Sequence, residues 1–306
     1  MYSRILAPLD GSDIAECVLP HVEAIATKNG AVDVTFLYVV EPVNTALTDP
    51  KFKSRIESEA KSAADRYLKR LIKGLSYKER AHGEVILGKA ADGILDYSAE
   101  SKMDLIIMAS HGLSGIRRWI RGSVADKVLH ESKIPVLRIR ASAPQPPFYT
   151  EGQEMTVLVP LDGSELAEVK LNHVRALAKQ FGAQSVDIVL LRVCELFSQP
   201  HLHYPPPMSL NWEEYLKYET KRCKQICLTY LNQVRKRLRK DGLRVRLAVP
   251  VGNPAEAIVD YVNRNPVNLI LLSTHGFTGL GQWAFGSVAN KVLKGTSTPI
   301  FLIRAT

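Results

Sequence analysis

The chain contains 306 residues, of which 46% are hydrophobic and 23% are charged. This composition is typical of a folded globular protein and argues against a disordered or fibrous chain. The longest apolar runs fall well short of the roughly 20 residues that cross a bilayer, and the N-terminus lacks a signal-peptide pattern. We therefore expect a cytoplasmic protein with no membrane partner.

The net charge of +9 makes nucleic acid a partner to consider. Much of the positive charge lies between Arg235 and Arg246, in a segment without aromatic residues. That segment matches none of the known nucleic-acid-binding modules, so a solvated helix face is the favoured interpretation. We do not expect a nucleic-acid partner.

The four cysteines are Cys17, Cys194, Cys223 and Cys227. They form no Cys-x-x-Cys motif and show no spacing typical of a zinc site. Cys223 and Cys227 fall on the apolar stripe of a predicted helix, which favours buried thiols in the core over metal ligands. A reducing compartment is consistent with this interpretation.

Strands and helices alternate along the first half of the chain. Apolar and β-branched runs predict strands at residues 4–9, 32–40, 81–87, 104–108 and 134–140. Helical spacing of apolar residues predicts helices at residues 13–27 and 54–73, with a short helix after Gly88. Strict alternation predicts an α/β fold with a parallel, doubly wound sheet covered by helices on both faces.

The second half repeats this pattern. Strands are predicted at residues 156–161, 186–194, 244–249, 268–272 and 298–304, and long helices at residues 165–179 and 212–240. The offset between the copies rises from 152 residues for Asp10 and Asp162 to 164 residues for Gly112 and Gly276. We predict one domain at residues 1–140, a proline-containing linker at residues 141–154 and a second domain at residues 155–306.

Most of the extra length in the second copy falls at residues 196–211, where His201, His203 and Pro205–Pro207 occur. A proline-rich loop near the carboxyl edge of a sheet fits a lid or a contact surface. The two histidines also suggest a metal site, but the sequence offers no third ligand beside them.

A glycine-containing loop occurs once in each half. The copies read Ser-His-Gly-Leu-Ser-Gly at residues 110–115, followed by Gly122 and Ser123, and Thr-His-Gly-Phe-Thr-Gly at residues 274–279, followed by Gly286 and Ser287. Glycine lets backbone N–H groups approach a ligand closely, and the following helix N-terminus favours anions. The loop is suited to phosphate.

Other strand ends predict the rest of a ligand site. Asp10, Asp162 and Val39 lie at the carboxyl ends of predicted parallel strands, where open α/β sheets bind ligands. An acid for sugar hydroxyls, an apolar surface for a base and a phosphate loop together indicate a nucleotide. Neither loop is a Walker A motif or a Gly-x-Gly-x-x-Gly motif, and one copy alone would be weak evidence.

These motifs resemble those of the universal stress protein family, in tandem. The resemblance rests on Pro8-x-Asp10-Gly-Ser at the strand end, the Ser-His-Gly-x-x-Gly loop and the Gly-Ser-Val-Ala helix start. It implies two five-stranded sheets of order 3-2-1-4-5 and ATP in the cleft. Carried over by position, the implied nucleotide contacts are Pro8, Asp10, Val39, Ala109, Gly112, Gly115, Gly122, Ser123 and Val124, and in the second half Pro160, Asp162, Val193, Ser273, Gly276, Gly279, Gly286, Ser287 and Val288.

The family's ATP-binding motif begins with a glycine, where this chain has Ala109 and Ser273. A small side chain there still fits near a ribose. The resemblance also implies Mg²⁺ or Mn²⁺ held mostly by the phosphates and water. It further implies a dimer-forming last strand, so residues 135–140 and 299–304 are expected to pair within one chain as an intramolecular pseudo-dimer. The sequence is also compatible with a homodimer.

The sequence is compatible with three functions. The first is a nucleotide-dependent regulatory module of the stress response, acting on an unidentified protein partner. The second is a slow ATPase or nucleotidyl-transfer enzyme, against which stands the lack of a carboxylate pair or an obvious general base. His111 and His275 flank the loops, where a structural hydrogen bond is the favoured role. The third is a tandem scaffold that binds no nucleotide.

Overall fold

The computed structural model describes residues 1–28, 32–43, 49–111, 124–141, 146–196, 212–275 and 286–305. These residues form two compact units. The first unit contains Met1–Glu151 and Pro299–Arg304, and the second contains Gly152–His275 and residues 286–298.

Five parallel strands of the first unit form the predicted sheet. They are β1 (Arg4–Pro8), β2 (Asp33–Val40), β3 (Ala81–Leu87), β4 (Leu105–His111) and β5 (Val136–Ala141). Their spatial order is β3-β2-β1-β4-β5, and each neighbouring pair is parallel. The predicted order 3-2-1-4-5 is confirmed. This order places the ends of β1 and β4 at the switch point, where doubly wound sheets bind ligands.

Helices of the first unit are α1 (Asp13–Glu16), α2 (Leu19–Ala26), α3 (Pro50–Lys73), α4 (Ala90–Glu100) and α5 (Val124–Glu131). The prediction of one continuous helix at residues 13–27 is wrong. Pro20 stands at the start of α2. Proline has no N–H for the bond to Glu16, and inside a longer helix its ring would clash with that residue's carbonyl.

The second unit repeats the arrangement. Its parallel strands are β6 (Met155–Pro160), β7 (Val186–Leu191), β8 (Arg244–Ala248) and β9 (Leu269–His275), in the order β8-β7-β6-β9. Its helices are α6 (Glu165–Glu168), α7 (Lys170–Phe181), α8 (Trp212–Lys240), α9 (Pro254–Arg264) and α10 (Ser287–Gly295). The helix predicted at residues 165–179 is likewise divided, at Val169.

The last strand, β10 (Ile300–Ala305), runs antiparallel to β5, with Ile300 opposite Arg138 and Leu302 opposite Val136. Pairing of these two segments within one chain was expected from the sequence, and it is found. Phe301 is 1% exposed and lies against Tyr2, with their ring centroids 5.4 Å apart. The strand thereby helps to complete the apolar core of the first unit.

The long helices α3 and α8 each bury one stripe of apolar side chains. Leu68 of α3 is 1% exposed, and Leu231, Val234 and Leu238 of α8 are each 0% exposed. The other faces are charged, as an amphipathic helix on a sheet requires. None of the described helices is both long and apolar enough to cross a membrane.

Part of the predicted linker packs on the first unit. Phe148 and Tyr149 are buried, and the Phe148 N–H donates to Nδ1 of buried His21 over 3.2 Å. The rings of His21 and Phe148 are stacked. Burial lowers the pKa of His21 to about 4, so this imidazole is neutral and accepts the hydrogen bond at neutral pH.

The cysteines differ from the prediction. Cys194 and Cys223 form a disulfide, so the prediction of a free core thiol at Cys223 is wrong. A separation of 29 residues with no motif between them gave no signal for this pairing. Cys227 is a buried free thiol as predicted. The insertion carrying His201 and His203 lies outside the described residues.

Candidate functional site

Each unit holds an aspartate at the end of its first strand by the same turn. Asp10 Oδ1 accepts hydrogen bonds from the N–H and Oγ of Ser12 over 3.0 and 2.6 Å. Asp162 Oδ1 accepts the same bonds from Ser164 over 2.9 and 2.7 Å. Each serine also caps a helix, because its Oγ accepts an N–H three residues on at 3.1 Å. The aspartates are therefore fixed in orientation, with Oδ2 free of hydrogen bonds to described residues.

Glycine between the aspartate and the serine allows the backbone to adopt the conformation of this turn. Gly11 and Gly163 have φ of 80° and 96°, in the left-handed region that favours glycine. In both copies, the glycine of Asp-Gly-Ser thus suits the backbone of the turn, and the aspartate and serine supply its polar groups.

A cavity of about 500 Å³ opens beside Asp162 in the second unit, within the size range of small-molecule sites. It brings together every described residue that the sequence predicted for this half. Those lining residues are Pro160, Asp162, Val193, Ser273, Gly286, Ser287 and Val288. They come from the ends of β6, β7 and β9 and from the start of α10, which are distant in sequence.

One side of this second cavity is the N-terminus of α10. Gly286 is the N-cap residue and offers no side chain to the first turn. The N–H groups of that turn are consequently left for other partners, and they carry the positive end of the helix dipole. Ser287 is exposed at the first helical position and lines the cavity with its neighbour Val288. This combination suits an anionic group.

Buried Lys170 lies in the same cavity wall. It is 3% exposed, and its Nζ donates to the carbonyl oxygen of Pro160 at the end of β6. Burial lowers the pKa of Lys170 to about 8, although the nearby Asp162 acts in the opposite direction. The ammonium thus fixes the strand end and adds positive charge next to the aspartate.

The pKa of Asp162 reflects opposing effects. Partial burial raises this pKa, but hydrogen bonds from Ser164 and the charge of Lys170 outweigh burial and lower it overall. The carboxylate is therefore ionised at neutral pH. An ionised carboxylate accepts hydrogen bonds strongly, as recognition of hydroxyl or amino groups requires.

Arg192 adds a second cation to the wall. Its guanidinium carbon lies 4.8 Å from the ring centroid of Tyr230. The Tyr230 hydroxyl in turn donates to Glu168 over 3.0 Å, which ties α8 to α6. A Cβ built on Gly163 would lie 3.0 Å from Arg192 Nη1, so the guanidinium sits against the turn that carries Asp162.

The first unit has a cavity of about 530 Å³ beside Asp10. Val39, the predicted adenine contact of this half, lines it. Tyr38 stands where the second unit has Arg192, and its ring is steeply inclined to that of Tyr67, at 72° and a centroid distance of 6.1 Å. Among described residues this first cavity is lined by carboxylates, aromatic rings and small apolar groups, without a lysine or arginine.

The remaining predicted residues are placed as follows. Pro8 ends β1, half-buried Ala109 lies in β4, and Val124 begins α5, but none of the three lines the first cavity among the described residues. The predicted phosphate contacts Gly112, Gly115, Gly122, Ser123, Gly276 and Gly279 lie outside the described residues, as do the side chains of His111 and His275.

Sequence reasoning missed Lys170 and Arg192. Lys170 lies eight residues after Asp162, at a position that Val18 occupies after Asp10, so comparison of the two copies would have exposed the change. Arg192 likewise corresponds to Tyr38. No group of three or more His, Cys, Asp or Glu side chains among the described residues is arranged to hold a metal ion directly.

The repeated parallel sheets, with an aspartate at the end of the first strand of each, define a tandem Rossmann-like α/β protein. The sequence model of the "Universal stress protein family" matches residues 1–140 and 155–304. The chain therefore belongs to the universal stress protein family.

Similar proteins agree with this assignment. A universal stress protein of Mycolicibacterium smegmatis is 23% identical over 98% of this chain and 96% of its own length, and one of Synechocystis is 25% identical over 98% and 99%. The crystal structure of a universal stress protein from Archaeoglobus fulgidus superimposes with a TM-score of 0.70, at 20% identity, over 99% of this chain and 98% of that one. The last similarity supports the fold.

Proposed function

We propose that the chain is an ATP-binding regulatory protein and that the second unit holds an adenine nucleotide. One observation carries the proposal: the carboxylate of Asp162, the apolar Val193 and the helix N-terminus at Gly286 and Ser287 line one cavity. These groups match the hydroxyl-bearing, aromatic and anionic parts of a nucleotide.

In the proposed complex, Asp162 accepts hydrogen bonds from the ribose or the adenine, and Val193 packs on the base. The phosphates lie at the start of α10, where Ser287 Oγ donates. Lys170, Arg192 and Lys291 contribute positive charge to the cavity wall. Mg²⁺ or Mn²⁺ is then held through the phosphates and water, since a triphosphate supplies the oxygen ligands that these ions prefer.

Regulation is the preferred role over catalysis. The buried amine of the second cavity, Lys170, is already committed to the Pro160 carbonyl, and the carboxylate of Asp162 is held by Ser164. We propose that the nucleotide-bound and nucleotide-free forms present different surfaces to a protein partner in the stress response. The cytoplasmic location predicted from the sequence stays a prediction.

The proposal is tested by the nucleotide content of the purified chain. We expect denaturation to release adenine nucleotide, identified by chromatography and mass. Mg-ATP added to stripped protein is expected to raise the unfolding free energy by about 2.7 kcal/mol at a hundred times its dissociation constant. Absence of nucleotide, with no thermal stabilisation by Mg-ATP, would leave the tandem scaffold as the function.

Ser287→Ala separates a phosphate site from a structural helix start. Ser287 is exposed and Gly286 is the N-cap residue, so the folded state does not need this hydroxyl. We expect weaker Mg-ATP binding at an unchanged melting temperature. Equal binding by variant and native protein would place the phosphates elsewhere. Asn290→Ala, at an exposed position of the same helix, is the control that leaves binding unchanged.

A further inference from the structure

A disulfide stands in the wall of the second cavity. It joins Cys194, just beyond β7, to Cys223 of α8, with Cα atoms 5.8 Å apart. Cys194 is fully buried, whereas Cys223 is half-buried and lines the cavity. A small thiol that enters the cavity therefore meets the sulfur of Cys223 first.

The two ends of this cross-link belong to different walls. Cys194 is anchored to the sheet, because its N–H donates to Pro250 over 2.8 Å and its carbonyl accepts from Gly252 over 3.1 Å. It directly follows Val193, the proposed contact of the base. Cys223 belongs to α8, whose Ile226 also lines the cavity while 51% exposed. The disulfide thus fixes a helix wall relative to the base-binding strand end.

The first unit offers an internal comparison. Val40 is the counterpart of Cys194, since its carbonyl accepts from Gly88 over 3.0 Å in the same arrangement. Ala60 is the counterpart of Cys223, seven residues before Tyr67, as Cys223 is before Tyr230. Val40 and Ala60 both line the first cavity, which therefore has the same two walls without a cross-link.

We propose that Cys194 and Cys223 form a reversible thiol–disulfide site that sets the nucleotide affinity of the second unit. The inference rests on the proposed nucleotide function. The oxidised chain is the high-affinity form, because the disulfide holds the α8 wall beside Val193 before the ligand arrives. Pre-organised sites bind more tightly because less ordering remains to be done on binding. In compartments where thiols are kept reduced, disulfides of this kind are usually transient and redox-sensing.

The chemistry is thiol–disulfide exchange with a small thiol or a small disulfide. In reduction, a thiolate attacks Cys223 Sγ, Cys194 leaves as a thiolate and takes up a proton, and a second thiolate releases Cys223 while the small molecule becomes a disulfide. Two electrons pass to the protein and two S–H bonds replace one S–S bond. Reoxidation by a low-molecular-weight disulfide runs through the same mixed disulfide and returns two small thiols.

Cys227 lies one helical turn from Cys223, and its substitution is the control for losing a cysteine that is not part of the disulfide. Burial raises the pKa of its thiol, so it is a poor nucleophile, and its Sγ lies 3.9 Å from the Val193 carbonyl. Cys227→Ala installs the residue that the first unit has at Ala64. This variant keeps the disulfide and should keep the redox response.

The test measures Mg-ATP binding by the full chain carrying Asp10→Ala, which leaves the second cavity as the site observed. Binding is compared before and after treatment with dithiothreitol, and mass spectrometry of alkylated peptides reports the thiols. We expect reduction to weaken Mg-ATP binding about tenfold, or about 1.4 kcal/mol. By reciprocity, saturating Mg-ATP should make the disulfide about tenfold harder to reduce. Cys194→Val with Cys223→Ala, which restores the residues of the first unit, should bind like the reduced chain with or without dithiothreitol.

Three results would overturn the inference. If oxidised and reduced chains bind Mg-ATP equally, with alkylation showing that Cys194 and Cys223 are free after reduction, the disulfide does not set the affinity. The proposed nucleotide site would then still hold. Alkylation of both cysteines without reductant removes the disulfide itself. Binding in neither state removes the proposed function and the inference together. Should the double variant fail to fold, the comparison of oxidised and reduced native chain still decides.

Discussion

The two halves keep the same strand-end turn but surround it differently. Asp10 and Asp162 are held by matched serine hydrogen bonds of 2.6 to 3.0 Å. The wall of the second cavity then adds Lys170 and Arg192, where the first half has Val18 and Tyr38. The two copies of the fold thus keep the turn that orients the carboxylate, whereas the charged residues around it differ.

That divergence predicts unequal sites. Each cavity is lined by two carboxylates, Asp10 and Glu41 in the first and Asp162 and Glu195 in the second, but among described residues only the second is also lined by lysine and arginine. An anionic ligand is favoured next to cations, and the effect grows where water is excluded. We therefore expect Mg-ATP to fill the second cavity before the first. Substitutions at residues that differ between the halves, or that the halves share, test this expectation.

Lys170→Met tests the buried lysine of the second cavity, whose counterpart in the first half is Val18. The pKa of Lys170 falls from 10.5 to about 8 on folding, which costs about 3 kcal/mol while the amine is charged. The cost is complete below pH 8 and is relieved as pH rises toward 10.5, because the folded chain releases its proton earlier than the unfolded chain. Relative to Lys170→Met, the native chain should gain unfolding free energy across this window in urea titrations.

Lys179→Met, at an exposed position of the same helix, controls for the loss of one lysine charge. Its stability difference from the native chain should stay nearly constant between pH 8 and 10.5. A constant difference for Lys170→Met as well would mean that the amine reaches water.

Asp162→Ala removes the oriented carboxylate of the second cavity. Hydrogen bonds to charged groups contribute about 1.5 to 3 kcal/mol, so affinity for Mg-ATP should fall by about 10- to 100-fold. Asp10→Ala is the matched variant and should leave the tighter binding event intact in calorimetric titrations. Loss of the tighter event in Asp10→Ala alone would reverse the assignment of the two cavities.

Ser12→Ala and Ser164→Ala test what the halves share. Each change removes an N-cap and should cost about 1 kcal/mol of unfolding free energy in its own unit, measured by urea denaturation. Ser62→Ala, within the exposed face of α3, controls for the loss of a serine and should cost nothing. Markedly different costs at the two caps would show that the turns are not energetically equivalent.

Arg192→Tyr gives the second cavity the residue of the first. The cation–π contact with Tyr230 contributes about 0.5 to 1 kcal/mol at a partly exposed site, so a modest stability loss is expected. Mg-ATP affinity should fall by only a few fold, because the charge is partly screened by water. The reciprocal Tyr38→Arg should raise the affinity of the first cavity. If Tyr38→Arg leaves the Mg-ATP affinity of the first cavity unchanged, the guanidinium of Arg192 affects the second cavity only through its contact with Tyr230.

Much of the fold was predictable because its signals are local or repeated. Alternating strand and helix patterns were enough to predict a parallel α/β sheet in both halves, whereas the strand order came from the resemblance to the family. The break before Pro20 was missed because helical spacing continued across it, although a proline at that position already favours a new start.

The site was only partly predictable, because two of its features depend on distant contacts. A lysine early in an amphipathic helix is ordinarily exposed, and only the packed structure shows Lys170 at 3% exposure. The pairing of Cys194 with Cys223 depends on how α8 lies over the end of β7. The strand-end aspartates, in contrast, follow directly from the sequence because their partners are two residues away.

Preferential nucleotide binding in the second cavity can be tested by a crystal structure of the full chain grown with one equivalent of a non-hydrolysable ATP analogue and Mg²⁺. We predict density in the second cavity, with the phosphates at Gly286, Ser287 and Val288 and a nucleoside oxygen or nitrogen within hydrogen-bonding distance of Asp162. Analogue bound only in the first cavity, or at neither strand-end aspartate, would contradict the account.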